Sequence, residues 1–181
     1  MMPWGQLLQP DLALGGSILE LTPELITQHR LKGLILDVDE TLVSFKQSQP
    51  VEEVRQWLKQ MQALALPVVL VSNNVSHNRI SRIADDLGVE SFYIAAGKPS
   101  RRKLREAVTL MQLPHEEIAM VGDRLFTDVL GGNRLGLFTV LVEPMVDPIA
   151  PMAANSPKEC LRNAEIWISK RFGVVLAHRD R

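Results

Sequence analysis

Asp37-Val-Asp39-Glu40-Thr41 sets two carboxylates one residue apart, just where the apolar run Leu34-Ile-Leu gives way to polar sequence. Such a pair suits nucleophilic attack, proton transfer or the binding of a hard cation, although an isolated D-x-D also serves as the solvated end of a strand. Ser72-Asn73-Asn74 follows a second apolar run, so a hydroxyl and free backbone N–H groups stand ready for an anion. Gly97-Lys98-Pro99 puts a cation just ahead of a helical pattern, where the helix dipole does not favour it. Gly122-Asp123, with Asp128 five residues on, supplies a second acidic pair. Each signal alone has an ordinary structural explanation: a cap, a surface lysine, an acidic helix start. Together they describe a crevice in which carboxylates, a hydroxyl and a lysine converge.

The elements that must position these groups alternate strand and helix. Leu34–Val38, Pro67–Val71, Ser91–Ala95, Ile118–Val121 and Phe138–Val142 read as five short strands, apolar on both faces as in parallel sheets. Between them, Val51, Val54, Trp57, Leu58, Met61 and Leu64 recur at helical spacing, as do Ile80, Ile83, Ala84 and Leu87 after Ser76 and before Gly88. Leu104, Ala107, Val108 and Met111 mark a third helix, and Ser156-Pro157 opens a last one carrying Leu161, Ala164, Trp167 and Ile168. The order predicts an α/β, doubly wound three-layer fold with a five-stranded, mostly parallel sheet. All four polar clusters then fall at strand carboxyl ends, where such folds bind ligands. The expected organisation is an N-terminal extension over residues 1–30, a catalytic core over 31–145, and a C-terminal loop and helix over 146–181.

Composition narrows the setting. The 181 residues are 46% apolar and 23% charged, the usage of one globular domain. Lys and Arg number 20 against 21 Asp and Glu, so there is no bulk field to draw the chain onto nucleic acid. One cysteine, Cys160, and four histidines provide neither a disulfide nor a Cys/His metal spacing. With no apolar run of about 20 residues and no secretory-signal pattern at the start, a reducing, cytoplasmic setting is expected.

The four clusters, read in order as D-x-D-x-T, Ser, Lys and G-D-x(4)-D, resemble the motifs of the haloacid dehalogenase-like superfamily of aspartate-nucleophile phosphatases, subfamily IIIA. The resemblance implies that Asp37 is the nucleophile, Asp39 the general acid and base, Ser72 a phosphate ligand and Lys98 the charge stabiliser. It further implies a magnesium ion held by Asp37, Asp39, Asp123 and Asp128. Asn73 joins Ser72 and Lys98 as a substrate-contacting candidate, as does Thr41, for which the alternative role is to hold the loop by hydrogen bonds. The chemistry is coherent with this: a carboxylate attacking a phosphate anion needs a hard divalent cation, and magnesium is satisfied by one or two carboxylates plus waters and substrate oxygen.

Both positions where relatives insert a cap domain are short here, so no large cap is expected and the cleft should be open. Pro10-Asp11, Leu21-Thr-Pro-Glu-Leu25, Lys98-Pro-Ser-Arg-Arg102 and the run from Asp123 to Arg134 are similar to the bacterial YqeG-type family, itself similar to mitochondrial and plastid phosphatidylglycerophosphate phosphatases. Glu40 stands where many relatives carry Asn. The resemblance implies a phosphorylated substrate, a membrane phospholipid head group foremost, and peripheral contact at the inner membrane surface. Arg101 and Arg124 are the candidates for gripping a second phosphate, with Arg102 and Arg134 equally explained as helix-surface residues. The apolar stretch with Trp4, Leu7, Leu8, Leu12 and Leu14 has no basic residue beside it and is expected to pack on the domain. A phosphatase of broad specificity on small esters or phosphoprotein, and a catalytically silent binding module, stay open.

Overall fold

A computed structural model describes residues 4–44 and 47–145. The C-terminal loop and helix expected over 146–181 lie outside the described residues. Six strands form one parallel sheet in the order β1-β6-β5-β2-β3-β4: β1 Leu12–Ala13, β2 Gly33–Leu36, β3 Val68–Val71, β4 Ser91–Tyr93, β5 Ile118–Gly122 and β6 Phe138–Leu141. The expected five strands are all present. The sixth, β1, is two residues long and too short to show any periodicity in the sequence; it is held against β6 by pairing Leu12 with Val140 and Ala13 with Leu141.

Alternation along the central strands divides the core. Leu34 and Leu36 of β2 pack in one apolar cluster with Leu70, Val121, Ile83 and Trp57, while Ile35 packs in another with Val69, Met120, Leu104 and Ala107. Helices α3 (Glu52–Ala63) and α4 (His77–Leu87) therefore cover one face and α5 (Arg102–Met111) the other, giving three layers. α4 starts where Ser76 accepts a hydrogen bond from the Arg79 N–H at 3.4 Å and stops at Gly88, whose φ of 64° is a left-handed cap. The short helices α1 (Trp4–Leu7) and α2 (Pro23–Gln28) precede β2. Leu8 is wholly buried beside Leu130, and Asp11 accepts from the Thr139 N–H at 2.8 Å, so this N-terminal stretch spends its apolar surface on the domain.

The order in which strands are added along the chain reverses at β2, with β5 on one side and β3 on the other. The crevice this creates opens beyond the carboxyl end of β2, where the chain enters Asp37. Each interval after β2 and β3 contains a single helix, so nothing of domain size stands over that crevice among the described residues. No helix there is long and apolar enough to cross a membrane.

Candidate active site

Pairing of β2 with both neighbours fixes where its polar continuation lies. The Asp37 N–H donates to the Val121 carbonyl at 2.9 Å, continuing the β2–β5 ladder by one residue and aiming the loop over the end of β5. Ser72 leaves β3 in the same way, its N–H on the Tyr93 carbonyl at 2.9 Å. The result is a cleft of about 260 Å³ lined by Asp37, Asp39, Glu40, Ser72, Asn73, Asn74, Lys98, Asp123, Arg124 and Thr127.

Its floor is acidic and dry. Asp37, Asp123 and Asp128 are 7%, 5% and 1% exposed, and Lys98 only 5%. Lys98 Nζ stands 2.6 Å from Asp37 Oδ1 and 2.7 Å from Asp128 Oδ1. Gly122 makes the approach of Asp128 feasible, since a Cβ there would collide with the Asp128 carboxylate. A turn of π-helix, Leu125–Val129, then carries Asp128 back toward Arg124, whose N–H donates to Asp128 Oδ2 at 3.2 Å, and leads into α6 (Leu130–Asn133). Asn73 fixes the lysine's backbone: its Oδ1 accepts from the Lys98 N–H at 2.7 Å and its Nδ2 donates to the Lys98 carbonyl at 3.2 Å.

Three carboxylates around one ammonium leave negative charge uncompensated away from water. Burial pushes the Asp37 carboxyl up to about 7, with Asp128 adding to the rise and Lys98 opposing it. Burial likewise pushes Asp123 well above the usual carboxylate range, reinforced by Asp37, Asp128 and Glu40 and opposed by Arg124. Burial alone would lower Lys98, yet Asp128 and Asp37 outweigh it and hold the ammonium above its ordinary value. One carboxylate oxygen from each of Asp37, Asp123 and Asp128 lies within 4.8 Å of the others. A buried, all-oxygen set with excess negative charge fits a divalent cation, which would neutralise the floor and return these carboxyls to their ionised forms.

The second carboxylate of D-x-D has a different environment. Asp39, expected among the metal ligands, is half-buried and its carboxylate is committed elsewhere. Arg79 Nη2 pairs with Asp39 Oδ1 at 2.8 Å; Asn74 Nδ2 donates to Asp39 Oδ2 at 3.0 Å, and the Ser72 hydroxyl stands 3.5 Å from the same oxygen. Arg79 Nη1 donates to the Gln47 carbonyl at 2.8 Å, so one guanidinium joins Asp39 to the loop after the first motif. Thr41, the candidate for substrate contact or for holding the loop by hydrogen bonds, is wholly buried and does not line the cleft, and its hydroxyl has no hydrogen-bond partner among the described residues. Arg124 lines the cleft; Arg101 does not, because it opens α5 and donates to the Arg134 carbonyl at 3.3 Å. Glu40 holds a left-handed backbone, φ 68°, a conformation that Asn adopts more readily than Glu.

Arg79 escaped the sequence reading. Its signal was a cation in the first turn of α4, at the positive end of the helix dipole and with no acidic residue in that turn.

A buried carboxylate paired with lysine after the central strand, acidic partners after β5 and a hydroxyl after β3 meet in one cleft, an arrangement that fits phosphoester hydrolysis. The chain belongs to the haloacid dehalogenase-like hydrolase family, whose profile matches residues 21–136, and it is a phosphatase of that superfamily. It is 36% identical over 129 residues to the probable phosphatase YqeG of Bacillus subtilis, covering 71% of this chain and 74% of that one. Phosphatidylglycerophosphate phosphatase 1 of Arabidopsis thaliana is 24% identical over 157 residues, which span 82% of this chain and 44% of the plant protein. Among solved structures, NagD of Escherichia coli K-12 superposes with a TM-score of 0.53 at 18% identity, covering 62% of this chain and 87% of NagD, which supports the shared fold.

Proposed function

We propose that the protein is a magnesium-dependent phosphomonoester hydrolase that acts through an aspartyl-phosphate and dephosphorylates phosphatidylglycerophosphate to phosphatidylglycerol. The observation that carries the substrate is the open cleft: one helix separates successive strands at both cap positions, so a phosphate presented on a large surface has access. The similarity to YqeG over most of the chain, and the weaker one to the plant enzyme, support the same reading.

In the first displacement an Asp37 carboxylate oxygen attacks phosphorus, the ester P–O bond breaks, and Asp39 gives its proton to the departing alkoxide oxygen. In the second, Asp39 takes a proton from water, the water oxygen attacks phosphorus, and the acyl-phosphate bond breaks to return Asp37 as a carboxylate. Asp37, Asp123 and Asp128 would hold the magnesium ion, which when bound would supply neutralisation of the negative charge gathered there. Lys98 and the Ser72 hydroxyl meet the negative charge on the equatorial oxygens of a largely dissociative transition state. Arg124 holds a further anionic group of the substrate at the rim. Arg79 is a positioning residue: it orients Asp39 and ties that orientation to the loop at Gln47. Asn73 positions Lys98 through its backbone.

The test is phosphate release from phosphatidylglycerophosphate in vesicles, compared with a panel of sugar phosphates and nucleotides. The expected result is lipid turnover that requires magnesium and vanishes in Asp37→Asn. Rapid turnover of soluble esters with none of the lipid, at high enzyme concentration, would replace the lipid reading with that of a small-ester phosphatase.

A further inference from the structure

A cluster of positive charge outside the cleft lies just along the chain from Lys98. Ser100, Arg101, Arg102, Arg105, Glu106 and Arg134 line a second cavity of about 360 Å³. Four guanidinium groups share it with one carboxylate, and that carboxylate is already paired with Lys103 at 2.7 Å. The polar partners of Arg101 and Arg134 are main-chain carbonyls: Arg101 donates to Arg134 at 3.3 Å and Arg134 to Pro99 at 3.2 Å. Arg102 and Arg105 are exposed and make no ion pair among the described residues.

The placement is costly on its own terms. α5 has no acidic residue in its first turn and carries Arg102, Lys103 and Arg105 at the end where the helix dipole repels cations. The whole chain has a formal net charge of −1, so the concentration of positive charge is local. Guanidinium forks match phosphate oxygens in pairs, and an array spread over the outer face of α5 and the end of α6 suits several phosphates side by side better than one enclosed anion.

We infer that this four-arginine cavity is a docking site for the phosphodiester groups of an anionic phospholipid bilayer, which it grips beside the catalytic cleft. The inference rests on the lipid reading of that cleft for its biological sense. The chain between the two is short: Lys98 supplies the cleft, Pro99 binds Arg134, and Ser100 and Arg101 line the docking cavity. A bilayer held here leaves the buried floor untouched and brings head groups to the rim.

The experiment is sedimentation of the full chain with vesicles of phosphatidylcholine, with and without phosphatidylglycerol, at low and raised salt. The wild type should pellet with the anionic vesicles only, and less at raised salt. Arg102→Glu with Arg105→Glu should lower partitioning by about tenfold or more. The neutral pair Arg102→Gln with Arg105→Gln should lower it less, and it serves if charge reversal unfolds the chain. Lys59→Glu with Arg82→Glu makes the same charge change on the opposite helical layer and should leave binding unchanged. Failure of the wild type to bind, unchanged binding by both α5 variants, or equal loss in the control pair overturns the docking site. Arginine-dependent binding without lipid turnover overturns only the substrate reading. Lipid turnover without arginine-dependent binding overturns only the docking site.

Discussion

The catalytic cleft and the arginine cavity lie on either side of residues 98–101 and handle charge in opposite ways. In the cleft, three carboxylates and Lys98 are buried, so each charge depends on its neighbours and the negative charge exceeds what Lys98 offsets. In the arginine cavity most of the charges reach solvent, so each is weak, screened by salt and close to additive. Single substitutions should therefore be drastic in the first region and mild in the second. The proposed roles follow the same division: buried charge for bond breaking, exposed charge for recognition.

The largest effect expected is on turnover. Asp37→Asn removes the nucleophile and should lower kcat by about 10⁴-fold or more, read as phosphate release from any accepted ester. Lys98→Met breaks a buried network and strands Asp37 and Asp128. Urea unfolding of the metal-free protein should lose about 3–5 kcal/mol, and a loss typical of exposed pairs, below about 1 kcal/mol, would contradict the buried reading.

The pH dependence of stability sharpens the same contrast. The Asp37 carboxyl is raised from 3.8 to about 7 in the fold, and Asp123 is raised too. A carboxyl raised on folding contributes stability that is full below its ordinary value and disappears as pH rises through the folded one. The metal-free protein should therefore lose the Asp37 contribution between about pH 4 and about pH 7. A divalent cation binds the ionised carboxylates, so magnesium should raise Tm strongly at about pH 8 and little at about pH 5. A magnesium effect that is equal at the two pH values would contradict a cation on this floor.

Smaller changes come from the half-buried rim. Arg79→Ala frees Asp39 and should slow the phosphorylation step about 10- to 100-fold for alkyl phosphates, while for aryl phosphates, whose leaving groups need no proton, the pre-steady-state burst that reads this step changes little. Equal slowing of that first step for both esters would mean that Arg79 acts on phosphate and leaves proton transfer to the leaving group alone. Smallest of all, Glu40→Asn relieves a left-handed backbone at a bulky residue and should stabilise by about 0.5–1 kcal/mol in thermal or urea melts.

Much of this was legible in sequence because it depends on local pattern. Ser76 and Gly88 bound α4 as written, and Leu34 to Leu36 divide between the two core faces as strand alternation requires. Asp37, Lys98, Asp123 and Asp128 converge because each follows or neighbours a strand end in a parallel sheet, so order along the chain carries the geometry. What stayed hidden depends on side-chain direction or on pairing across long separations. β1 exists only because Leu12 and Ala13 meet β6. Asp39 differs from Asp37 because Arg79, forty residues away, claims it. The hydroxyl of Thr41 points into the protein, which its motif position does not reveal.

The central claim, that Asp37 carries the phosphoryl group, has a direct test. Asp39→Asn should still be phosphorylated by an ester with a good leaving group, but it lacks the base that activates water, so the covalent species should accumulate. Acid quench, digestion and mass spectrometry should then find one added phosphoryl group on the peptide containing Asp37, absent when Asp37 is also changed to Asn. Turnover by the wild type with no phosphorylated peptide in the variant, or with the label on another residue, would contradict it.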